Sequence, residues 1–242
     1  METINVIYPL WIWFALPWWV YLLIIFGGGG GTVIFAKLLQ KAAGIIIMGA
    51  AGTGKSTLWN KLNPKYVYNP HSRGGKDVES FTIKRTNGSS VTISKTKDFG
   101  GEDIYFRNFI EEIKRKNESE NLFIFYLIRS TDLDDNKMIK DTRSRIKVIF
   151  DEFKDNFKEK KLGFNIILSH FDTYCSTHMI SLDQISEAKE DLKDTLSKKF
   201  SGHSLTKSNK KIIRDITLIG SLNDQTFINE IKDKIGIKNE NS

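Results

Sequence analysis

The chain has 242 residues, a formal net charge of +7 and a sequence pI of about 9.3. This length is enough for one mid-sized domain with a full core and an appended segment. Because Cys175 is the only cysteine, a disulfide within the chain and a cysteine-based metal site are excluded. Basic and acidic residues are interleaved, and no aromatic-basic motif of a nucleic-acid-binding module is present, so we expect no nucleic acid partner.

The N-terminal part of the chain predicts a membrane anchor. The stretch Val6–Phe26 is almost wholly apolar, and about 20 apolar residues span a ~30 Å hydrocarbon layer as a helix. We therefore expect residues 1–42 to form a transmembrane anchor. Lys37 and Lys41 follow the span, and the positive-inside bias predicts a single-pass protein whose C-terminal domain faces the cytoplasm. The run Gly27–Gly31 is either a flexible hinge, which we favour, or a helix continuation with a packing face.

A phosphate-binding loop follows the next apolar run. Ile45–Met48 predicts a strand, Thr57–Leu62 predicts a helix, and residues 49–56 between them read G-x-x-x-x-G-K-S. Glycines let successive N–H groups point at one anion, and the helix N-terminus adds its dipole. Lys55 can reach the β- and γ-phosphates, and Ser56 can ligate Mg²⁺. The predicted nucleotide contacts are Gly49, Ala51, Gly52, Thr53, Gly54, Lys55, Ser56 and Thr57.

Strands and helices alternate in the rest of the chain. Asn87–Ser90 predicts a turn between two strand-like runs, Phe81–Thr86 and Val91–Thr96. The other predicted elements are helices at Ile104–Lys116, Met138–Phe157, Leu182–Phe200 and Phe227–Ile235, and strands at Leu122–Ile128, Gly163–Leu168 and Ile212–Ile219. This order predicts an α/β fold with a mainly parallel six-stranded sheet, one antiparallel edge hairpin and helices on both faces. We expect this domain over residues 43–237, with a disordered tail at 238–242.

A second phosphate motif, Asp98-Phe99-Gly100-Gly101, stands after the hairpin. It is expected beside the phosphate loop, where Asp98 can hold Mg²⁺ through water and the Gly101 N–H can meet a γ-phosphate. With both motifs the chain resembles the Ras-like GTPases, especially the Arf-like branch with its Asp-x-Gly-Gly signature. The resemblance covers about residues 44–236. It implies a P-loop GTPase fold that binds GTP or GDP with Mg²⁺.

The resemblance also implies a guanine-reading site. The family motif [NT]-K-x-D is represented by Ser169-His170-Phe171-Asp172. Asp172 would accept hydrogen bonds from guanine, and His170 would stack on the base in place of the family lysine. A carboxylate cannot accept from adenine in the same way, because the adenine N1 is itself an acceptor. Ser221 and Leu222 stand where the family places Ser-Ala-Lys and would offer backbone N–H groups to the guanine carbonyl oxygen.

Two switch residues complete the expected site. Ser72 represents the family threonine that ligates Mg²⁺, and Ser80 and Thr82 are alternatives. Glu102 stands where the family has its catalytic glutamine. Because Glu102 lacks an amide donor for the transition state, we expect slow hydrolysis with Glu102 and Lys55 as the catalytic residues. The resemblance also implies switch regions whose surface binds a protein effector or receptor partner.

The sequence therefore predicts a membrane-anchored GTP-binding protein that hydrolyses GTP slowly and acts as a nucleotide-dependent switch. The order of an anchor and an Arf-like domain also resembles the β subunit of the signal-recognition-particle receptor. Two alternatives stay open. One is a non-hydrolysing, GTP-bound membrane scaffold or receptor subunit, favoured by Glu102 and the altered base motif, and the other is a P-loop ATPase. Arg73 and Arg107 are candidates for a cation acting in cis, but the sequence does not fix either.

Overall fold

The computed structural model describes residues 42–67, 75–101, 105–117, 121–158, 162–200 and 212–235. All of them belong to one unit, Ala42–Ser242. The expected anchor, apart from residue 42, lies outside the described residues, and so do Ser72, Arg73, Glu102 and the tail at 238–242. Within the described ranges, no helix has the length and apolar character needed to cross a membrane.

A six-stranded sheet forms the centre of this unit, in the order β3-β4-β1-β6-β7-β8. Its strands are β1 (Ala43–Gly49), β3 (Phe81–Lys84), β4 (Ser90–Ile93), β6 (Asn121–Arg129), β7 (Leu162–Ser169) and β8 (Thr217–Ile219). Strand β3 is antiparallel to β4, and the other neighbouring pairs are parallel. The predicted mainly parallel sheet with one antiparallel edge hairpin is confirmed. A separate antiparallel pair joins β2 (Lys76–Val78) to β5 (Thr96–Asp98).

Helices cover both faces of the sheet. They are α1 (Lys55–Leu62), α2 (Phe106–Asn117), α3 (Asn136–Glu152), α4 (Lys154–Lys158), α5 (Phe171–Thr177), α6 (Ile185–Phe200) and α7 (Gln225–Lys234). Two 3-10 turns, Ser130–Asp134 and Leu182–Gln184, join them to the strands. Strand β6 shows why both faces are covered: Ile124 and Tyr126 pack into one apolar layer, while Phe123 and Phe125 pack into the other. A parallel strand that is buried on both faces needs an apolar side chain at nearly every position.

Three predicted elements differ from the structure. The strand expected at Val91–Thr96 ends at Ile93, and Thr96 begins β5, which pairs with β2 outside the six-stranded sheet. The strand expected at Ile212–Ile219 is wrong in its first half, because residues 212–215 are helical and only Thr217–Ile219 pair with β7. An apolar run as short as this one is compatible with a helix or a strand, and the pairing with β7 determines which residues become a strand. The helix expected at Met138–Phe157 breaks at Phe153, whose ring is buried in the core.

The parallel strands bring their carboxyl ends to one edge of the sheet. Gly49 pairs with Leu127 in register, and Arg129 pairs with Ser169 one strand further along. The loops that follow β1, β6, β7 and β8 therefore meet at this edge. In open α/β sheets this edge is where ligands bind.

Candidate nucleotide-binding site

The loop between β1 and α1 has a backbone that strongly favours glycine at three positions. Gly49, Gly52 and Gly54 have φ angles of 144°, 75° and 91°. A Cβ on Gly49 would lie 2.5 Å from the carbonyl oxygen of Leu127, and one on Gly54 would lie 2.6 Å from Leu222 Cδ1. The motif glycines are thus required by conformation and by close packing. The chain leaves this loop at the first turn of α1, which carries Lys55, Ser56 and Thr57.

Lys55 is held underneath this loop. Its side chain is buried, and Nζ donates a hydrogen bond to the carbonyl oxygen of Ala50 at 2.8 Å. Thr53 Oγ1 donates to the same oxygen at 3.0 Å. Burial lowers the pKa of Lys55 to about 8, with a smaller contribution from Arg145, and the carboxylate of Asp98 opposes this change. The ammonium group is therefore a preorganised but poorly solvated cation, which is suited to an anionic ligand.

The second phosphate motif lies against the loop, where the sequence places it. Thr96, at the start of β5, donates from Oγ1 to the carbonyl oxygen of Ile45 at 3.0 Å, which aligns β5 beside β1. A Cβ on Gly101 would lie 2.4 Å from Ala51 N and 2.6 Å from Lys55 Nζ. The backbone of Gly101 is thus in contact with the loop, and no larger residue fits there without displacement.

Asp98 lies in a cluster that sequence reasoning missed. The hydroxyl of Tyr66 donates to Asp98 Oδ2 at 2.5 Å, and both side chains are buried. The second oxygen, Oδ1, and Trp59 Nε1 are also buried, and neither makes a hydrogen bond of normal geometry within the described residues, although the Trp59 N–H is close enough to affect the Asp98 pKa. Burial raises the pKa of Asp98, while Tyr66, Lys55, Trp59 and Lys76 act in the opposite direction, in that order. The sequence held no signal for Tyr66, because it lies outside every motif.

The two motifs expected to contact the base, Ser169–Asp172 and Ser221–Leu222, are called the base-side motifs. They meet at the ends of β7 and β8. Asp172 stands in the first turn of α5, where its Oδ1 accepts from the Thr173 N–H at 3.0 Å. Its Oδ2 accepts from Ser221 Oγ at 2.9 Å. His170 has a left-handed backbone with φ 56° and ψ 34°. Two motifs separated by 49 residues are thus joined by a side-chain hydrogen bond.

Ser169 connects the base-side motifs to the phosphate loop. Its side chain is fully buried, and Oγ donates to the carbonyl oxygen of Thr53 at 2.8 Å. The same Oγ lies within hydrogen-bonding distance of His170 Nδ1, at 3.0 Å. His170 Cε1 and Leu222 Cδ1 lie 3.6 Å and 2.6 Å from the position of a Cβ on Gly54. The serine that departs from the family pattern therefore holds the loop directly.

Two predicted alternatives, the Mg²⁺ ligands Ser80 and Thr82, do not reach this edge. Ser80 and Thr82 lie at the start of β3, the antiparallel outer strand. Phe81, between them, pairs with Ile93, and Ile93 pairs with Ala43, so both residues lie level with the start of β1 and far from the phosphate loop at its other end. Strand β1 is seven residues long, which is about 20 Å between its two ends. Ser80 and Thr82 are therefore wrong as Mg²⁺ ligands. Arg107 is 89% exposed on α2 and pairs with Glu111.

The residues present fit a nucleoside phosphate with Mg²⁺. The left-handed glycines give a loop of the kind whose N–H groups can point at one anion, and Lys55 supplies a fixed positive charge. The buried oxygen Asp98 Oδ1, which makes no hydrogen bond within the described residues, is an acceptor that a Mg²⁺-bound water would satisfy. Ser56, at the helix start, offers a hydroxyl of the kind that ligates Mg²⁺ in such loops.

Comparison with solved structures shows the fold. The signal recognition particle receptor SRb-GTP/SRX complex from Chaetomium thermophilum matches with a TM-score of 0.52 and 12% identity over 79% of this chain and 98% of that chain. Toc33 from Arabidopsis thaliana, in complex with GDP and Mg²⁺, matches with a TM-score of 0.50 and 18% identity over 88% of each chain. No protein-family model and no curated protein matches the chain. The chain shares the fold of these two proteins.

Proposed function

We propose that this chain is a membrane-anchored protein that binds GTP and GDP with Mg²⁺, hydrolyses GTP slowly and works as a nucleotide-dependent switch. One observation carries the proposal. The phosphate loop, Asp98 and Gly101 lie together at one edge of the sheet, and at the same edge Asp172 and Ser221 are bonded to each other. This edge thus carries both a cradle for phosphates and a carboxylate suited to guanine.

The role of each residue in nucleotide binding follows from its chemistry. The N–H groups of residues 49–57 and the Lys55 ammonium would hold the β- and γ-phosphates. Ser56 and, through water, Asp98 would hold Mg²⁺, which neutralises charge on the phosphates during transfer. Asp172 would accept from the guanine base, with His170 beside the ring and the backbone of Ser221 and Leu222 toward the carbonyl oxygen.

The decisive experiment is nucleotide binding to the purified full chain in detergent. We expect GTP and GDP to bind with Mg²⁺ at least about a hundredfold more tightly than ATP, because a hydrogen-bonding site rejects the wrong base strongly. Equal affinity for ATP and GTP would support the P-loop ATPase alternative. No binding of any nucleotide would overturn the proposal.

Turnover depends on two residues outside the described ranges, Ser72 and Glu102. We propose Ser72 as the switch ligand of Mg²⁺ and Glu102 as the residue that orients water. Glu102→Gln should raise the single-turnover rate of GTP hydrolysis, because it restores an amide donor and removes a charge beside the γ-phosphate. A tenfold increase corresponds to about 1.4 kcal/mol. A marked decrease with unchanged GTP affinity would show that Glu102 acts as a general base instead.

A second candidate is a GTP-bound membrane scaffold or receptor subunit that does not hydrolyse its nucleotide. The observation that favours it is Glu102 in place of glutamine. This candidate predicts that GTP stays bound and intact over hours and that a protein partner binds equally well to the GTP and GDP forms. A switch predicts that partner binding depends on which nucleotide is bound.

Membrane attachment rests on the sequence of residues 1–42. The full chain should sediment with membranes and resist both high salt and carbonate, since a spanning helix is not an electrostatic anchor. Replacing Phe14 and Leu16 by aspartate should abolish insertion, because a charge at the centre of a span costs about 3 kcal/mol. A tag placed at the C-terminus should remain on the cytoplasmic side. Release of the unaltered chain by salt alone would contradict a spanning anchor.

A further inference from the structure

Arg129 lies against the phosphate loop without belonging to any nucleotide motif. It is the last residue of β6, at the edge of the sheet where the loops meet. A Cβ built on Gly52 would lie 3.7 Å from Arg129 Nη1. Gly52 is one of the loop glycines with a left-handed backbone. The guanidinium group therefore lies beside the loop that is expected to hold the phosphates, close enough that a side chain at position 52 would touch it.

Asp132 fixes how this guanidinium is turned. Arg129 Nε donates to Asp132 Oδ2 at 2.8 Å, and the Asp132 side chain is largely buried, with 12% exposed. This bond uses only the inner nitrogen. The two terminal nitrogens make no hydrogen bond to the described residues, and 40% of the Arg129 side chain is exposed. The group is thus anchored at its base, with four N–H donors left for a ligand.

The charge of the site explains why a second cation is useful there. Lys55 is held under the loop by its hydrogen bond to the carbonyl oxygen of Ala50. The base-side motif contributes His170 at a position where the resembling family has lysine. A planar guanidinium matches phosphate oxygens in pairs and stays charged at all physiological pH values.

We propose that Arg129 contacts the phosphate chain of the bound nucleotide through its terminal nitrogens, as a second fixed cation beside Lys55. The proposal rests on the proposed GTP-binding function and deepens it. Asp132 acts as a positioning residue, since it holds Nε and leaves Nη1 and Nη2 toward the loop. Sequence motifs do not reveal this role, because Arg129 reaches the loop from a neighbouring strand.

The test is the affinity of the full chain for fluorescent GDP and GTP in the variants Arg129→Gln, Arg129→Lys and Asp132→Asn. Arg129→Gln should weaken binding of both nucleotides at least about tenfold, as expected for loss of a charge-assisted hydrogen bond. Arg129→Lys should weaken it less, because the charge remains while the fork is lost. Asp132→Asn should weaken binding only a few-fold, because the amide oxygen still accepts from Nε while the charge that holds the guanidinium is lost.

Arg214→Gln is the matched control. Arg214 is 41% exposed and also ion-paired, with Asp194 and Glu190, but it precedes β8 and so lies toward the opposite edge of the sheet. Its replacement should leave nucleotide affinity unchanged. The unfolding temperature of each variant without nucleotide reports folding separately. Only the nucleotide-induced increase in that temperature should shrink in Arg129→Gln.

The outcomes separate this proposal from the proposed function. If the unaltered chain binds no nucleotide, both fail. If it binds GTP and Arg129→Gln binds equally well, the Arg129 proposal alone is overturned. If Arg129→Gln and Asp132→Asn lose affinity and stability equally, the pair is only a structural ion pair, and the proposal is likewise overturned. If Arg129→Gln does not fold, the affinity of Arg129→Lys is the test, and an affinity equal to that of the unaltered chain overturns the Arg129 proposal.

Discussion

The phosphate side and the base side of the candidate site are built in different ways. On the phosphate side Thr53, Lys55 and Asp98 are buried, and the backbone of Gly101 leaves no space for a side chain. On the base side Asp172 is exposed and is held by hydrogen bonds to Ser221 and to its own helix turn. The phosphate side is therefore preorganised by core packing. The base side depends on short local bonds, which a few substitutions can alter.

The largest expected effect tests the buried phosphate side of the site. Lys55→Ala removes a buried cation that is expected on the phosphates, and it should weaken GTP binding by about 3 kcal/mol or more, which is over a hundredfold. The measurement is equilibrium binding of a fluorescent GTP analogue with Mg²⁺. Lys61→Ala, in the last turn of the same helix, is the control and should bind normally. Normal GTP binding by Lys55→Ala would show that residues 49–56 are not a nucleotide loop.

The next largest effect tests the exposed base side of the site. Asp172→Asn places an amide where guanine presents its own donors, while xanthine presents an acceptor at the same edge. We expect GTP affinity to fall by about 2 kcal/mol and xanthosine triphosphate to bind better than GTP. Ser221→Ala keeps the carboxylate and loses only the bond to Oδ2, so its effect on GTP should be several-fold smaller. Unchanged GTP and xanthosine triphosphate affinities in Asp172→Asn would refute the assignment of Asp172 as base reader.

A third prediction separates folding from Mg²⁺ binding on the phosphate side. Tyr66→Phe removes the hydroxyl that donates to Asp98 Oδ2, so the nucleotide-free protein should lose about 1–2 kcal/mol of stability to denaturant. The same change frees Oδ2 of Asp98 as a second acceptor for Mg²⁺-bound water, beside Oδ1. GTP binding should then become tight at a lower Mg²⁺ concentration than in the unaltered chain.

Tyr126→Phe is the matched control for that change. Tyr126 is buried on β6, and its hydroxyl interacts with Thr142 on the other side of the core. Its replacement should lower stability by a similar amount without changing the Mg²⁺ requirement. Equal Mg²⁺ titrations for Tyr66→Phe and the unaltered chain would show that the hydroxyl does not compete for Asp98.

The same contrast explains what the sequence predicts and what it does not. The phosphate loop and Asp98-x-x-Gly101 are read correctly as neighbours, because glycine spacing and the strand before each motif determine their backbone locally. The mainly parallel sheet follows from the alternation of strands and helices. These features depend on residues that are close in sequence.

Features that depend on distant residues escape that reasoning. Tyr66 meets Asp98 across 32 positions, and Arg129 meets Gly52 through the order of the strands. The short helix α5 follows a left-handed His170, which no local propensity indicates. Ser80 and Thr82 stay open as alternatives to Ser72 in the sequence, because distance along the chain does not reveal which end of β1 they approach.

The smallest expected effect concerns the bond that joins the two halves. Ser169 Oγ donates to the carbonyl oxygen of Thr53, so Ser169→Ala leaves a buried loop carbonyl without this donor and should cost about 0.5–1.5 kcal/mol of stability. Ser130→Ala is the matched control, because Ser130 is equally buried and its Oγ donates to the carbonyl oxygen of Ser169 at 2.9 Å. Both variants should unfold at similarly lower denaturant concentrations. Only Ser169→Ala loosens the loop itself, so only this variant should release GDP faster, by a few-fold in a stopped-flow chase. Equal release rates in the two variants would mean that core packing alone positions the loop and that the base side does not stabilise it.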